Sequence, residues 1–198
     1  MPRSRAEAEM HLTTERLVLR EFHHTDFDAV HAYGSDPAVT RYTSFGPNSP
    51  VETEEFLTRA AGAALSALRR SYDLAIVSVV DQALIGGVGL HLGGPGLIGG
   101  CGASSPYRAE LGYVLRTDAW GQGYAAEAGR AMVAFGFEKL NLHRIFAECH
   151  ASNIASARVM EKIGLRREGL LRQHVLIKGE WWDVVVCGIL EGEWPASG

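Results

Sequence analysis

The chain has 198 residues, 46% hydrophobic and 21% charged, an ordinary globular composition whose length suits one domain around a single core. A net charge of −4 gives no basic field for holding nucleic-acid phosphates, so no nucleic-acid partner is expected. No apolar run approaches the roughly 20 residues of a membrane span, and "MPRSRAEAEMH" lacks the apolar stretch of a secretory signal. Cys101, Cys149 and Cys187 are odd in number and lack zinc-ligand spacing, so neither a disulfide framework nor a metal site is expected. The simplest compartment is a reducing cytoplasm.

Residues 1–12 are expected to form a flexible tail, 13–191 the folded domain and 192–198 a C-terminal tail. "ERLVLREF" (15–22) alternates as a strand does. Thr25 or Asp26 can cap a helix whose apolar positions are Phe27, Val30 and Tyr33, with a break at Pro37. "TSFGPNSP" reads as a loop, and residues 51–70 as a helix with early acids and late arginines matching its dipole. "YDLAIVSVV" and "ALIGGVGLHL" read as a hairpin turning near Asp81 and Gln82. The glycine-rich run 93–109 lacks the Lys-Ser or Lys-Thr of a P-loop and reads as a connection rather than a substrate lid.

"ELGYVLR" (110–116) is the next strand. The helix "YAAEAGRAMVAFGFEKL" carries Ala125, Ala128, Met132 and Phe135 on one stripe. "RIFAECH" is a strand, with Phe146, Glu148 and His150 on one face and Ile145, Ala147 and Cys149 on the other. "SNIASARVMEKIG" is a helix started by Ser152 or Asn153, with Ala155, Val159 and Ile163 on one face and Gly164 at its end. The remainder reads as two strands about a Lys178-Gly179 turn. The fold class is α/β (α+β): one domain, a mixed and mostly antiparallel sheet, helices on both faces.

Between strand and helix stands "DAWGQGYAAEA". Gly121 and Gly123 open a helix, where unbonded N–H groups and the positive dipole end attract anionic oxygen and glycine lets the backbone come close. "GQGYAA" formally matches a dinucleotide fingerprint. However, "RTDAW" separates it from the strand, and too few strand-helix units follow for a doubly wound sheet.

"ELGYVLRTDAWGQGYAAEA", followed by "RIFAECHASNIASARVMEKIGLRREGLLR", resembles the GNAT superfamily of acetyl-CoA-dependent N-acetyltransferases. The nearest branch is the Rim type, which acetylates N-terminal amines of ribosomal proteins; the likeness spans roughly Thr14 to Leu190. It implies acetyl-CoA as co-substrate, with its pyrophosphate on the amides of Gly121, Gln122, Gly123, Tyr124, Ala125 and Ala126. Its pantetheine would run beside Tyr113, Val114 and Leu115. It also implies that Asn153 contacts the cofactor arm and that Ser156 lies near the sulfur. Trp120, where many members have Gln or Arg, is common in the Rim-type branch. Met160 falls where many members carry an acid Tyr, which puts a tyrosine acid in doubt. Dimers are common in relatives, so a homodimer is open.

The chemistry is direct attack of an amine on a thioester. Glu148 is the first candidate base and Glu110, which reads more readily as a strand-end charge, the second; Ser156 assists the leaving thiolate. His174 is a weaker third base. Cys149 reads as buried and structural, and Trp181 and Trp182 with Asp183 as one core and one surface aromatic or a pocket wall. The acceptor expected is a protein N-terminal amine. A small amine (polyamine, amino acid or aminoglycoside) and a non-catalytic acyl-CoA-binding module are the alternatives.

Overall fold

A computed structural model describes residues 10–93 and 107–195; most of the glycine-rich run therefore lies outside the described residues. The strands are β1 (His11–Thr13), β2 (Leu17–Glu21), β3 (Ser71–Ser78), β4 (Leu84–Leu92), β5 (Arg108–Leu115), β6 (Arg144–His150), β7 (Arg166–Ile177) and β8 (Glu180–Leu190). The helices are α1 (Phe27–Gly34), α2 (Pro37–Thr40), α3 (Pro50–Ala64), α4 (Tyr124–Glu138) and α5 (Ile154–Ile163). One eight-stranded sheet runs β1-β2-β3-β4-β5-β6-β8-β7. Every neighbouring pair is antiparallel except β5 with β6.

Helices cover both faces, so the central strands are apolar on both sides, as "LAIV" in β3 shows. Between the sheet and α4 and α5 lie Leu17, Leu74, Leu90 and Ile145 from the strands and Met132 and Met160 from the helices, all fully buried. Under α1, α2 and α3 lie Phe22, Val30, Tyr33, Leu57, Ala75 and Val77. Each fully buried Val, Leu, Ile, Phe or Met side chain here contributes about 1.5–3 kcal/mol on leaving water.

The break expected at Pro37 is there, since α1 ends at Gly34; Pro37 then opens α2 at its first position, where the missing N–H has no helical partner to lose, and Asp36 caps it by accepting from Ala38 N. Two elements differ from the sequence expectation. α3 stops at Ala64 rather than running to residue 70. Leu65 and Leu68 are 89% and 86% exposed, so no apolar stripe continues. Arg69 instead donates to both carboxylate oxygens of Glu21, at 2.6 and 3.1 Å, which leads the chain into β3. On α5 the inward positions are Met160 and Ile163, while Ala155 is exposed.

α4 and α5 touch through a small residue. A Cβ on Gly129 would stand 2.4 Å from Ile163 Cδ1, so this glycine sets how closely α5 lies. Gly129→Val overpacks the contact and should cost about 1–3 kcal/mol. Thermal unfolding should show a drop of several degrees. An unchanged melting temperature would mean α5 is free to move outward.

Candidate active site

The sheet opens where its one parallel pair ends. β5 and β6 pair only at Arg108, Ala109 and Glu110 against Arg144, Ile145 and Phe146. Beyond that β5 keeps β4 as partner through Leu115, and β6 keeps β8 through His150. Two backbone edges therefore face each other without pairing. The gap belongs to a cleft of about 1650 Å³ whose walls include Glu110, Tyr113, Gly123, Glu148, Asn153 and Ser156.

At one end lies the start of α4. Gly123 is its N-cap with φ +84°, and Gly121 has φ +75°, a left-handed region that glycine enters at no steric cost. No side chain caps this helix, so the first-turn N–H groups at Tyr124, Ala125 and Ala126 are available to an anion. Gln122 turns away: its Nε2 donates to Asp118 O at 3.0 Å. Trp120 Nε1 donates to Leu115 O at 2.9 Å, tying the loop to the end of β5.

The loop is also held from behind by residues that sequence reading missed. Glu127, in the first turn of α4, accepts from Thr14 Oγ1 at 2.6 Å and from Arg16 N at 2.9 Å, both on Oε1, and from Arg16 Nε at 2.7 Å on Oε2. Arg16 Nη1 donates to Gln122 O at 3.1 Å, and its guanidinium lies 4.7 Å from the centre of the Tyr124 ring. A carboxylate in the first turn would weaken the pull of this helix end on any anion; Arg16 offsets its charge. Burial pushes the Glu127 carboxyl up, but the bonds from Thr14 and Arg16 outweigh this and hold it below its ordinary 4.5.

The α5 wall begins at Asn153, whose Oδ1 accepts from Ser156 N at 3.1 Å. Tyr113 Oη donates to the Ser156 carbonyl at 2.9 Å and lies 2.9 Å from Ser156 Oγ. Since a carbonyl only accepts, the phenol proton is committed there and the Ser156 hydroxyl donates to Tyr113. Ser156 must turn its proton to serve any other acceptor. Met160 is fully buried, so the phenol at this end of the cleft comes from β5. Burial pushes the Tyr113 hydroxyl far up and the Cys149 thiol to about 11, so Cys149 is inert as well as buried.

The opposite face of the sheet carries the carboxylates. Glu148 and His150 line the cleft as the alternation of β6 requires, and Glu148 Oε1 is out of reach of solvent. His150 packs between Tyr42 and Trp182, with ring centres 5.1 and 4.8 Å away. Trp182 is buried in the cleft wall and Trp181 is 61% exposed, so the pair divides as one core and one surface residue. Lys178, at the β7–β8 turn, donates to Thr40 O at 2.7 Å and pins that turn against α2. Glu110 is not a strand-end charge: it lies within β5, opposite His91 on β4 and Phe146 on β6, and half-buried. Burial raises its pKa, against the charges of His91 and Arg108. His174 is not with these groups; it lines a separate pocket with Arg172, Gln173 and Asp183.

The acetyltransferase (GNAT) domain family matches residues 16–166. The chain is 35% identical over 188 residues to the uncharacterized N-acetyltransferase YnaD of Bacillus subtilis, covering 93% of this chain and 99% of that one. A solved GNAT-family acetyltransferase from Bacillus anthracis superimposes with a TM-score of 0.79 at 32% identity, over 92% of this chain and 99% of that one. A shorter likeness, 29% over 84 residues (42% of this chain, 43% of the relative), is to the ribosomal protein uS5-alanine N-acetyltransferase of Escherichia coli. The chain belongs to the GNAT family and is an N-acetyltransferase.

Glu127→Gln tests the support behind the glycine loop. A carboxyl with a lowered folded pKa adds stability that is present above its unfolded pKa and lost as pH falls through the folded value. The melting-temperature gap between wild type and Glu127→Gln should be widest near pH 7 and close at acid pH. A gap independent of pH would assign the loss to packing instead of charge.

Proposed function

We propose that this N-acetyltransferase moves the acetyl group of acetyl-CoA directly to a primary amine, foremost the N-terminal amine of a protein. The observation that carries the reading is the parting of β5 and β6 after three paired residues, with the uncapped, glycine-led start of α4 at the end of the gap. An extended thioester arm fits such a gap as a missing strand would, beside Tyr113, Val114 and Leu115. A pyrophosphate fits the amides from Gly121 to Ala126.

The residues divide the reaction between the two faces of the sheet. Asn153 fixes the first turn of α5, and Ser156, once its hydroxyl turns from Tyr113, donates to the departing sulfur. A thiolate leaves readily because thiols ionise near ~8.5. Glu110 and Glu148, on the other face, take the proton of the incoming ammonium. An α-amine titrates at about 8 against about 10.4 for lysine, so a half-buried carboxylate suffices.

A small cationic amine is the second reading. It is favoured by Glu52, Glu55, Asp73 and Glu110, which share the acceptor wall.

Thermal unfolding with acetyl-CoA, and with NAD as control, tests the co-substrate. At 100 Kd a ligand bound only to the folded state adds roughly 2.7 kcal/mol, which raises Tm by about 5–10 °C in a domain of this size. No shift with acetyl-CoA would remove the reading. Release of free thiol with peptides bearing free N-termini, compared with polyamines, then separates the acceptors. Turnover of polyamines alone would put the second reading first.

A further inference from the structure

Three central strands set Asp73, His91 and Glu110 in a row on the sheet face covered by α1, α2 and α3. Asp73 stands opposite Gly89 and His91 opposite Glu110 in the strand registers. Asp73 Oδ1 accepts from His91 Nε2 at 2.7 Å, and Asp73 Oδ2 accepts from Ser71 Oγ at 2.5 Å. Gly89 makes room for the pair: a Cβ there would stand 2.6 Å from Asp73 Oδ1 and 3.2 Å from His91 Nε2. Directly opposed residues of an antiparallel pair have Cβ atoms about 4.5–5.5 Å apart. The Glu110 carboxyl therefore stands beside the imidazole, close enough for its charge to act on the ring and for one water to bridge the two. All five residues line the cleft.

The tautomer follows from the partner. A carboxylate only accepts, so Nε2 carries a proton and Nδ1 is the basic nitrogen of the neutral ring. The His91 side chain is 44% exposed and that of Asp73 23%, an acid set behind a ring that opens to the cleft. This is the arrangement of a proton acceptor oriented by a carboxylate that is itself fixed.

The charged groups around the ring are Asp73 from β3, Glu110 and Arg108 from β5, and Arg59 from α3; Ser71 adds its hydroxyl. The hydrogen bond to Asp73 raises the His91 pKa above its ordinary value against burial; the Asp73 and Glu110 charges add to this and Arg59 opposes it.

We propose that Asp73 and His91 are a proton relay that resets Glu110 in each turnover, an inference that rests on the acetyltransferase reading of this cleft. Glu110 takes a proton from the substrate ammonium, breaking an N–H bond and forming its own O–H bond. The freed lone pair attacks the thioester carbon. The C–S bond breaks with its electron pair on sulfur, and the remaining proton on the acylated nitrogen goes to that thiolate. The Glu110 proton passes through a bridging water to Nδ1 of neutral His91, and the imidazolium, steadied by Asp73, releases it to solvent. Ammonium and thioester become amide, thiol and one proton. His91 and Asp73 act through Glu110 and are positioning residues; Glu110 touches the amine.

The pH profile of kcat, read by free-thiol release, tests the relay. His91 must be neutral to accept, so it sets an acid limb. Asp73→Asn removes the contact that raises the His91 pKa, so the limb should move to lower pH. His91→Gln should abolish that limb and lower kcat on the order of a hundredfold, the low side of an acid–base contribution. Binding of acetyl-CoA, read as a melting shift, should be unchanged in both. His91→Gln decides the matter by itself where Asp73→Asn does not fold. A limb unmoved in the folded variants overturns the relay. A wild type that binds acetyl-CoA but acetylates no amine overturns the functional reading instead.

Discussion

The single parallel pairing in the sheet governs everything else. Antiparallel neighbours can follow each other through short turns, but β5 and β6 must be joined by a crossover, and α4 is that crossover. A helix that leaves the end of β5 and returns to the start of β6 has its N-terminus at the end where the two strands part. The positive end of its dipole therefore faces the gap. An anion site and a slot for an extended chain arise from one topological requirement.

The slot is useful because strand alternation gives its two faces different work. On β5, Tyr113 faces α5 and reaches Ser156, while Glu110 faces α3 and stands beside His91. On β6, Cys149 packs with the core and Glu148 lines the cleft. Groups suited to a departing thiolate and groups suited to an arriving ammonium are thus divided by a period of two residues. A register slip of one residue in β5 would exchange them, and the buried Leu111 and Leu115 oppose such a slip.

Local signals carried most of the fold into the sequence. Asn153 as a cap, Gly164 as a stop with φ +111°, the Lys178-Gly179 turn and the glycine pair before α4 each act within a few residues. The candidate site was half legible for the same reason: Gly121, Gly123, Asn153 and Ser156 sit in short motifs. The groups that escaped are long-range. Thr14 meets Glu127 across 113 positions and Asp73 meets His91 across 18. In sequence, Asp73 is one polar residue in an apolar run and His91 an alternate residue near a strand end. Only the pairing of β3 with β4, and the missing side chain at Gly89, make them neighbours. The over-long α3 failed differently: helix propensity continues past Ala64, but the apolar stripe does not, and the Arg69–Glu21 pair decides the path.

Like charge is the cost of this design. The helix whose first-turn N–H groups are left uncapped carries Glu127 in that turn, and the cleft wall that holds Asp73 and Glu110 also carries Arg59 and Lys178. In both places the adverse charge is engaged elsewhere or offset. Glu127 is turned to Thr14 and Arg16, Lys178 to the Thr40 carbonyl, and Arg59 stands near Asp73 and the Phe56 ring. The first-turn amides are left as the groups free to meet phosphate. The acceptor wall keeps its carboxylates facing the cleft. On the proposed reading an anion site at the start of α4 and carboxylates on β3, β5 and α3 lie at different parts of the cleft, with the strand gap between them. A thioester cofactor and an ammonium would enter such a cleft from those two parts and meet where β5 and β6 separate.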